Sequence, residues 1–284
     1  MITTLSSSKI SIKINHLGAE LVSLQNAENK EHIWNGDPKY WSKHSPVLFP
    51  IVGSLKNDHY ALHGVNYQLF RHGFARDMEF KLVEESENSA LFSIQNNEET
   101  LKVYPFLFEF QIQYIIKDTR VEVHFKVINT SDSAMPFSLG AHPAFALANN
   151  FEEYQIQFEN ENERLAYFPL ENNLISAHPN TLSIENNLLP LNYALFEQDA
   201  LIFKQLNSNA VTLLERNTPF LRVAFNDFPS LGIWTKKDAP FICIEPWIGY
   251  ADTTTNSGNL FEKEGIRILE AHSYFDCQYS IELL

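Results

Sequence analysis

Phe241-Ile242-Cys243-Ile244-Glu245-Pro246-Trp247-Ile248-Gly249 is an apolar run that ends on a carboxylate, with a proline and a glycine just beyond. An apolar run bounded in this way reads as a buried strand. Alternation puts Phe241, Cys243 and Glu245 on one face and Ile242 and Ile244 on the other. Pro246 is expected to stop the strand from pairing further. Glu245 then shares a face with core residues. An ionised carboxylate buried there without partners is costly, so it needs hydrogen-bond donors or a raised pKa. Such a group is a candidate general base. The plainer alternative is a strand-end glutamate that emerges into solvent.

Outward from this strand, the middle of the chain has the clearest pattern. Phe108, Phe110, Ile112, Tyr114 and Ile116 alternate with polar residues, and so do Val121, Val123, Phe125 and Val127. Two period-2 runs joined by Lys117-Asp118-Thr119-Arg120 make an antiparallel hairpin with one wet face. Ile10 to Ile14 and Ala19 to Gln25 read as another hairpin across Gly18. Further short strands are read at Tyr154–Phe158, Ala200–Phe203, Val211–Leu214, Leu221–Phe225 and Leu231–Trp234, with two more closing the chain after a loop over 250–258. The stretch from Pro179 to Pro190 reads as loop, and the proline-broken Pro46 to Gly53 as a buried irregular segment. Asp37-Pro38 predicts one short helical turn through Tyr40 and Trp41. No long amphipathic helix, repeat or linker is visible. These features predict an all-β fold, a single domain over 1–284 built as a large antiparallel β-sandwich with few short helices.

Composition excludes several functions. The net charge of −14 over 284 residues offers no basic excess to neutralise phosphates, so a nucleic-acid partner is not expected. No apolar run is long enough to suggest a membrane span. The two cysteines, Cys243 and Cys277, make no disulfide framework, and the first residues lack a signal-peptide pattern. A reduced, cytoplasmic setting is the expectation.

Candidate chemistry lies in three further places. His142 stands between Ala141 and Pro143, a rigid small-residue mount that suits a side chain needing a fixed position. The bland alternative is a loop histidine without a role. His72 and Arg76 pair an imidazole with a guanidinium, which suits sugar hydroxyls or a phosphate; the alternative is a turn with surface charges. His59 and His63 are four apart, but their surroundings read as a hairpin, so no metal site is expected. Phosphate-cradling glycine motifs and a nucleophile elbow are absent. No spacing singles out a carboxylate pair for glycoside hydrolysis.

Three segments together, Arg71-His72-Gly73-Phe74-Ala75-Arg76, Gly140-Ala141-His142-Pro143-Ala144-Phe145 and Glu245-Pro246-Trp247-Ile248-Gly249-Tyr250-Ala251-Asp252, resemble the aldose 1-epimerase (galactose mutarotase) superfamily, in particular a bacterial LacX-like branch. Leu48-Phe49-Pro50-Ile51-Val52-Gly53 and Gly232-Ile233-Trp234-Thr235 extend the likeness over nearly the whole chain. The resemblance implies a galactose mutarotase-like sandwich with a sugar bound in a cleft on one sheet. It implies that Glu245 is the general base at the anomeric hydroxyl and His142 the general acid at the ring oxygen. His72 matches a histidine near that oxygen, and Asp199 an aspartate that binds sugar hydroxyls. Phe145 and Trp247 are expected to pack on the apolar face of a pyranose. Proton removal and proton delivery need neither metal nor cofactor. One departure stands out: relatives usually carry a substrate-binding arginine where this chain has Ser54, with Lys56 or Arg76 as possible substitutes. The expected activity is a cofactor-independent aldose 1-epimerase on a hexose or hexose phosphate, monomeric or homodimeric. A sugar-binding or sensing protein on the same fold is the rival reading, and a glycoside hydrolase or lyase a weaker one.

Overall fold

The computed structural model describes residues 1–161 and 163–284. The two period-2 runs become the strands Phe108–Lys117 and Arg120–Asn129, paired antiparallel from Arg120↔Lys117 to Asn129↔Phe108. Asp118, at φ 55°, takes the left-handed conformation that a tight two-residue connection demands. This hairpin lies within a nine-stranded sheet. On one side of it are Ser89–Gln95 and Lys81–Glu85; on the other are Tyr274–Leu283, Thr218–Ala224, Ala210–Glu215, Tyr154–Phe158 and Leu188–Pro190.

A second sheet of six strands faces it. Its order runs Leu201–Phe203, Ser230–Trp234, Phe241–Ile248, Leu139–Ala141 and Val47–Leu48, with Ala144–Ala146 also paired to Phe241–Ile248. A smaller three-stranded sheet is formed by Ile2–Ser6, Ile10–Asn15 and Glu20–Asn26. Strands make up 50% of the chain and helix 8%, so the fold is all-β, an antiparallel sandwich. The one α-helix among the described residues, Glu98–Val103, is held by a capping box between Asn97 and Thr100.

Alternation along Phe241–Ile248 sorts its side chains as expected. Ile242, Ile244 and Ile248 join Phe110, Ile112, Val123 and Ile156 in one core between the sheets. Phe241 and Cys243 point the other way, to Trp34, Ala144 and Ala239. Trp247 packs there against Leu48, Val52 and Tyr250. The outward face of the second sheet is thus covered as well, which is why all eight residues of this strand are buried. Phe49 ties the proline-broken segment to the main core, stacking on Phe110 at 4.8 Å and meeting Phe108 edge-on at 5.2 Å.

Two expectations need correction, and one strand was not read at all. Pro246 does not end the strand, which pairs on through Ser230↔Trp247 and Leu139↔Ile248. Ile244 N–H donates to the Pro143 carbonyl at 3.2 Å, and alternation turns residue 246 to that same side. There the ladder with Leu139–Ala141 covers only Trp247 and Ile248, so the missing proline N–H breaks nothing. The Pro179 to Pro190 stretch contains two short strands, Asn180–Ser183 and Leu188–Pro190. Ile2–Ser6, unread in the sequence, pairs along Ile10–Asn15. Asp37 to Trp41, by contrast, forms the single helical turn expected there, with Tyr40 and Trp41 N–H both donating to the Asp37 carbonyl.

Phe49→Ala removes a fully buried ring shared by five aromatic neighbours. It should cost about 3–5 kcal/mol. Equilibrium denaturant unfolding measures this; a loss below about 1 kcal/mol would show that the segment is not anchored by this ring.

Candidate functional site

The outward face of the second sheet carries the chemistry. Gly140 and Gly232, on the strands either side of Phe241–Ile248, let the Trp247 indole lie flat across them. A Cβ on Gly232 would come within 2.6 Å of the indole Cζ2, and one on Gly140 within 2.7 Å of Cδ1. Beside Trp247, Glu245 is only 1% exposed.

His142 occupies the point where the neighbouring chain leaves the sheet and rejoins it, between Leu139–Ala141 and Ala144–Ala146. Backbone bonds fix it: His142 N–H donates to the Pro46 carbonyl at 3.1 Å, and Ala144 N–H to the His44 carbonyl at 3.0 Å. Its ring is clamped by aromatic neighbours. Trp41 stacks on it at 4.7 Å and 28°, and Trp234 meets it edge-on at 5.8 Å. Nε2 of His142 lies 3.2 Å from Oε2 of Glu245, close enough to exchange a proton, although Oε2 has no aligned hydrogen-bond partner among the described residues.

His72 approaches from the loop that follows the Val65–Gln68 strand, edge-on to His142 at 5.8 Å. It sits at φ 70°, in the left-handed region. Gly53 N–H donates to its Nδ1 at 3.1 Å. A backbone amide can only donate, and a neutral imidazole accepts at one nitrogen, so Nε2 carries the hydrogen. That nitrogen is also 3.1 Å from Arg71 Nε, another donor. Arg71 reaches back across the opening to Asp199, Nη1 to Oδ2 3.7 Å, and its carbonyl accepts from Arg76 Nη2 at 2.9 Å.

These side chains, with Trp41 and Trp234, line one cavity of about 340 Å³. A larger groove of about 540 Å³ on the wet face of the nine-stranded sheet is lined mainly by surface polar groups such as Gln111, Gln113 and Gln278. The smaller cavity holds the facing carboxyl and imidazole, and it is the candidate site.

Electrostatics follow from burial. Desolvation pushes the Glu245 carboxyl well above the usual range; Arg71 opposes the rise and Asp199 adds to it. Burial, helped by the charges of Arg71 and Arg76, lowers His142 to about 3. Burial and then Arg71 also hold His72 well below the ordinary value. Both imidazoles are therefore neutral near neutral pH, while burial favours the protonated form of the facing Glu245 carboxyl.

A buried ion pair lies outside the cavity lining, in the segment that follows the Glu245 strand. Lys263 Nζ and Asp252 Oδ1 are 3.2 Å apart, each side chain 1% exposed. Lys263 Nζ also donates to the Tyr250 carbonyl. Asp252 accepts from Lys56 N–H at 2.9 Å and donates its own N–H to the Ser54 carbonyl at 2.8 Å.

All six expected residues, Glu245, His142, His72, Arg76, Asp199 and Trp247, thus meet at one cavity. Phe145 does not: it is fully buried in the main core, because alternation from Ala144 turns it inward. Lys56 is turned to the Thr254 carbonyl at 3.0 Å and does not line the cavity. Ser54 borders a small adjoining recess beside Arg71 and Trp247. Sequence reasoning gave no site role to Trp41 or Trp234. Their signals were present, in the Asp37-Pro38 turn and the Gly-Ile-Trp segment, but nothing local says which histidine an aromatic ring will meet. His59 lies on an exposed hairpin strand and His63 in its turn, as the hairpin reading expects.

A sandwich with a buried carboxyl facing an imidazole in a cavity walled by tryptophans belongs to the class of proteins that bind a small polar ligand. Comparison with known proteins narrows it. Residues 1–266 match the family described as Aldose 1-epimerase, and the chain belongs to that family. It is 37% identical over 279 residues to Protein LacX from Lactococcus lactis subsp. lactis, with 92% of each chain covered. Among solved structures, a galactose mutarotase related enzyme from Lactobacillus acidophilus superposes with a TM-score of 0.94 at 35% identity, covering 100% of this chain and 97% of that one. A galactose mutarotase-like protein from Lactobacillus casei gives 0.94 at 32% identity, with 100% of both chains covered. Family membership supports a sugar epimerase or mutarotase role.

Lys263→Met strands Asp252 as a lone buried charge and should cost about 3–5 kcal/mol; replacing both partners, K263M/D252N, should cost clearly less. Thermal or denaturant unfolding of the two variants decides this. Equal losses would mean that the pair is not coupled.

Proposed function

We propose that this protein is a cofactor-independent aldose 1-epimerase that interconverts the α and β anomers of a hexose or hexose phosphate by acid/base ring opening. The observation that carries the reading is the 3.2 Å approach of Glu245 to His142 over a single cavity. Ring opening takes one proton from the anomeric hydroxyl and gives one to the ring oxygen. A pair that holds one proton has the capacity for both steps without a net change. In the reactive form Glu245 is ionised and accepts from the hydroxyl, while His142 carries the proton and donates it to the ring oxygen. Rotation of the freed aldehyde and the reverse transfers close the ring as the other anomer.

The remaining groups suit holding the sugar. His72 Nε2–H and Arg71 both donate toward the ring-oxygen side, and Asp199 offers acceptors for hydroxyls. Trp247 supplies an apolar floor, with Trp41 and Trp234 beside it. A phosphate substituent would have Arg71 and Arg76 to meet it, but not Lys56. Arg71 projects beside the recess that Ser54 borders, and it takes over the binding role of the missing arginine.

Glu245→Gln should leave the protein folded and lower catalysed anomer exchange roughly a hundred- to ten-thousand-fold. NMR exchange or polarimetry on glucose, galactose and their 6-phosphates measures it. An unchanged rate in the variant would end the mechanism. Saturable sugar binding by the unmodified chain, with no rate above solvent, would favour a binding protein instead.

A further inference from the structure

Cys243 sits beside the Glu245–His142 pair and has no part in the acid/base reading. It precedes Glu245 by two residues on the same strand, shares its face and is fully buried. One donor atom each from His142, Cys243 and Glu245 lie within 4.8 Å of one another. Among the described residues this is the one group of three or more His, Cys, Asp or Glu side chains close enough to hold an ion.

We propose that His142, Cys243 and Glu245 form a binding site for a thiophilic divalent cation such as Zn²⁺ or Cd²⁺, and that the bound ion switches the acid/base pair off. Imidazole, thiolate and carboxylate are the three donor types that Zn²⁺ takes in mixed tetrahedral sites. Bonds of about 2.0–2.3 Å place tetrahedral donors about 3.5 Å apart. His142 Nε2 and Glu245 Oε2 already stand at 3.2 Å, and the sulfur, within 4.8 Å of both partners' donor atoms, has only to close in. Among the described residues Glu245 Oε2 has no aligned hydrogen-bond partner, so coordination displaces only its contact with His142. A thiolate and a carboxylate together neutralise the dication, which removes the net charge from a dry site. The thiol proton and the carboxyl proton leave for solvent as the ion binds. The fourth position is left for water. With its lone pairs committed to the ion, neither Glu245 nor His142 can move a proton.

The ion site rests on geometry alone; its inhibitory effect rests on the proposed acid/base roles. The full chain, titrated with CdCl₂ in a non-coordinating buffer, should show saturable binding of one ion with the ultraviolet thiolate-to-cadmium absorption band. Cys243→Ser should abolish the band and weaken Cd²⁺ or Zn²⁺ binding by more than about 10-fold, since even an outer-shell partner is worth that much. Cys277→Ser, on the Tyr274–Leu283 strand of the other sheet, should leave the band in place. No saturable band, a band that survives in C243S, or one lost in C277S would overturn the site. Cys243-dependent binding with undiminished anomer exchange would instead preserve the site and overturn the role of the pair.

Discussion

A carboxyl group buried against an imidazole, with no other hydrogen-bond partner for the facing oxygen, is the constraint around which this structure is arranged. In an apolar setting an unpartnered ionised carboxylate costs several kcal/mol, and the group meets that cost by holding its proton. The imidazole responds in the opposite sense and gives its proton up. Burial thus biases Glu245 towards holding a proton and His142 towards giving one up because of where they sit, before any ligand enters. Such an arrangement does not stabilise a fold. It survives because hydrophobic burial elsewhere is large enough to carry it, and the main core lies on the other side of the strand that bears Glu245.

That separation explains the sheet's irregularities. A continuous ladder beside Phe241–Ile248 would place a pleated strand where the imidazole now stands. Instead the chain leaves the sheet for His142-Pro143 and returns, and Pro246 falls at the side where no partner strand is lost. Two prolines, each unfavourable in a regular sheet, are compatible here because the sheet is interrupted at one place for one side chain. Gly140 and Gly232 serve the same end on the same face: where their side chains would stand, the Trp247 indole lies.

The parts legible in the sequence were those governed by local periodicity. Alternation over 108–127 gave the central hairpin, and alternation over 241–245 gave the face that carries Glu245. The three motifs named His72, Arg76, His142, Glu245 and Trp247, and a separate match named Asp199, all through likeness; no local pattern says that positions 72, 142, 199 and 245 converge. Pro246 misled because its effect depends on which side the neighbouring ladder occupies, a tertiary fact. Phe145 misled because a residue in a functional motif was expected at the site, whereas the parity of its strand turns it to the core. Trp41 was read only as part of a turn, since its stacking on His142 joins segments about a hundred positions apart. Ile2–Ser6 escaped because its five residues, Ile-Thr-Thr-Leu-Ser, offer little periodicity until Ile10–Asn15 is present to pair with them.

His72 carries this reasoning one step further. Its Nδ1 is committed to the Gly53 amide, so its Nε2–H confronts the Arg71 guanidinium, donor against donor, at 3.1 Å. The contact gains nothing as it stands, and Arg71 is held from its far end by Asp199 across a long 3.7 Å gap. An acceptor oxygen placed between the ring and the guanidinium would satisfy both donors at once, and a sugar bound over Glu245 presents several. The polar rim is therefore incomplete in the same sense as the pair below it: each lacks a partner that a polyhydroxylated ring supplies. The buried His72 donor also sets a selection rule: a ligand without an oxygen at that point leaves it desolvated and unpaired, at a cost of about 1–3 kcal/mol, whereas the Arg71 side chain, 41% exposed, keeps its access to water.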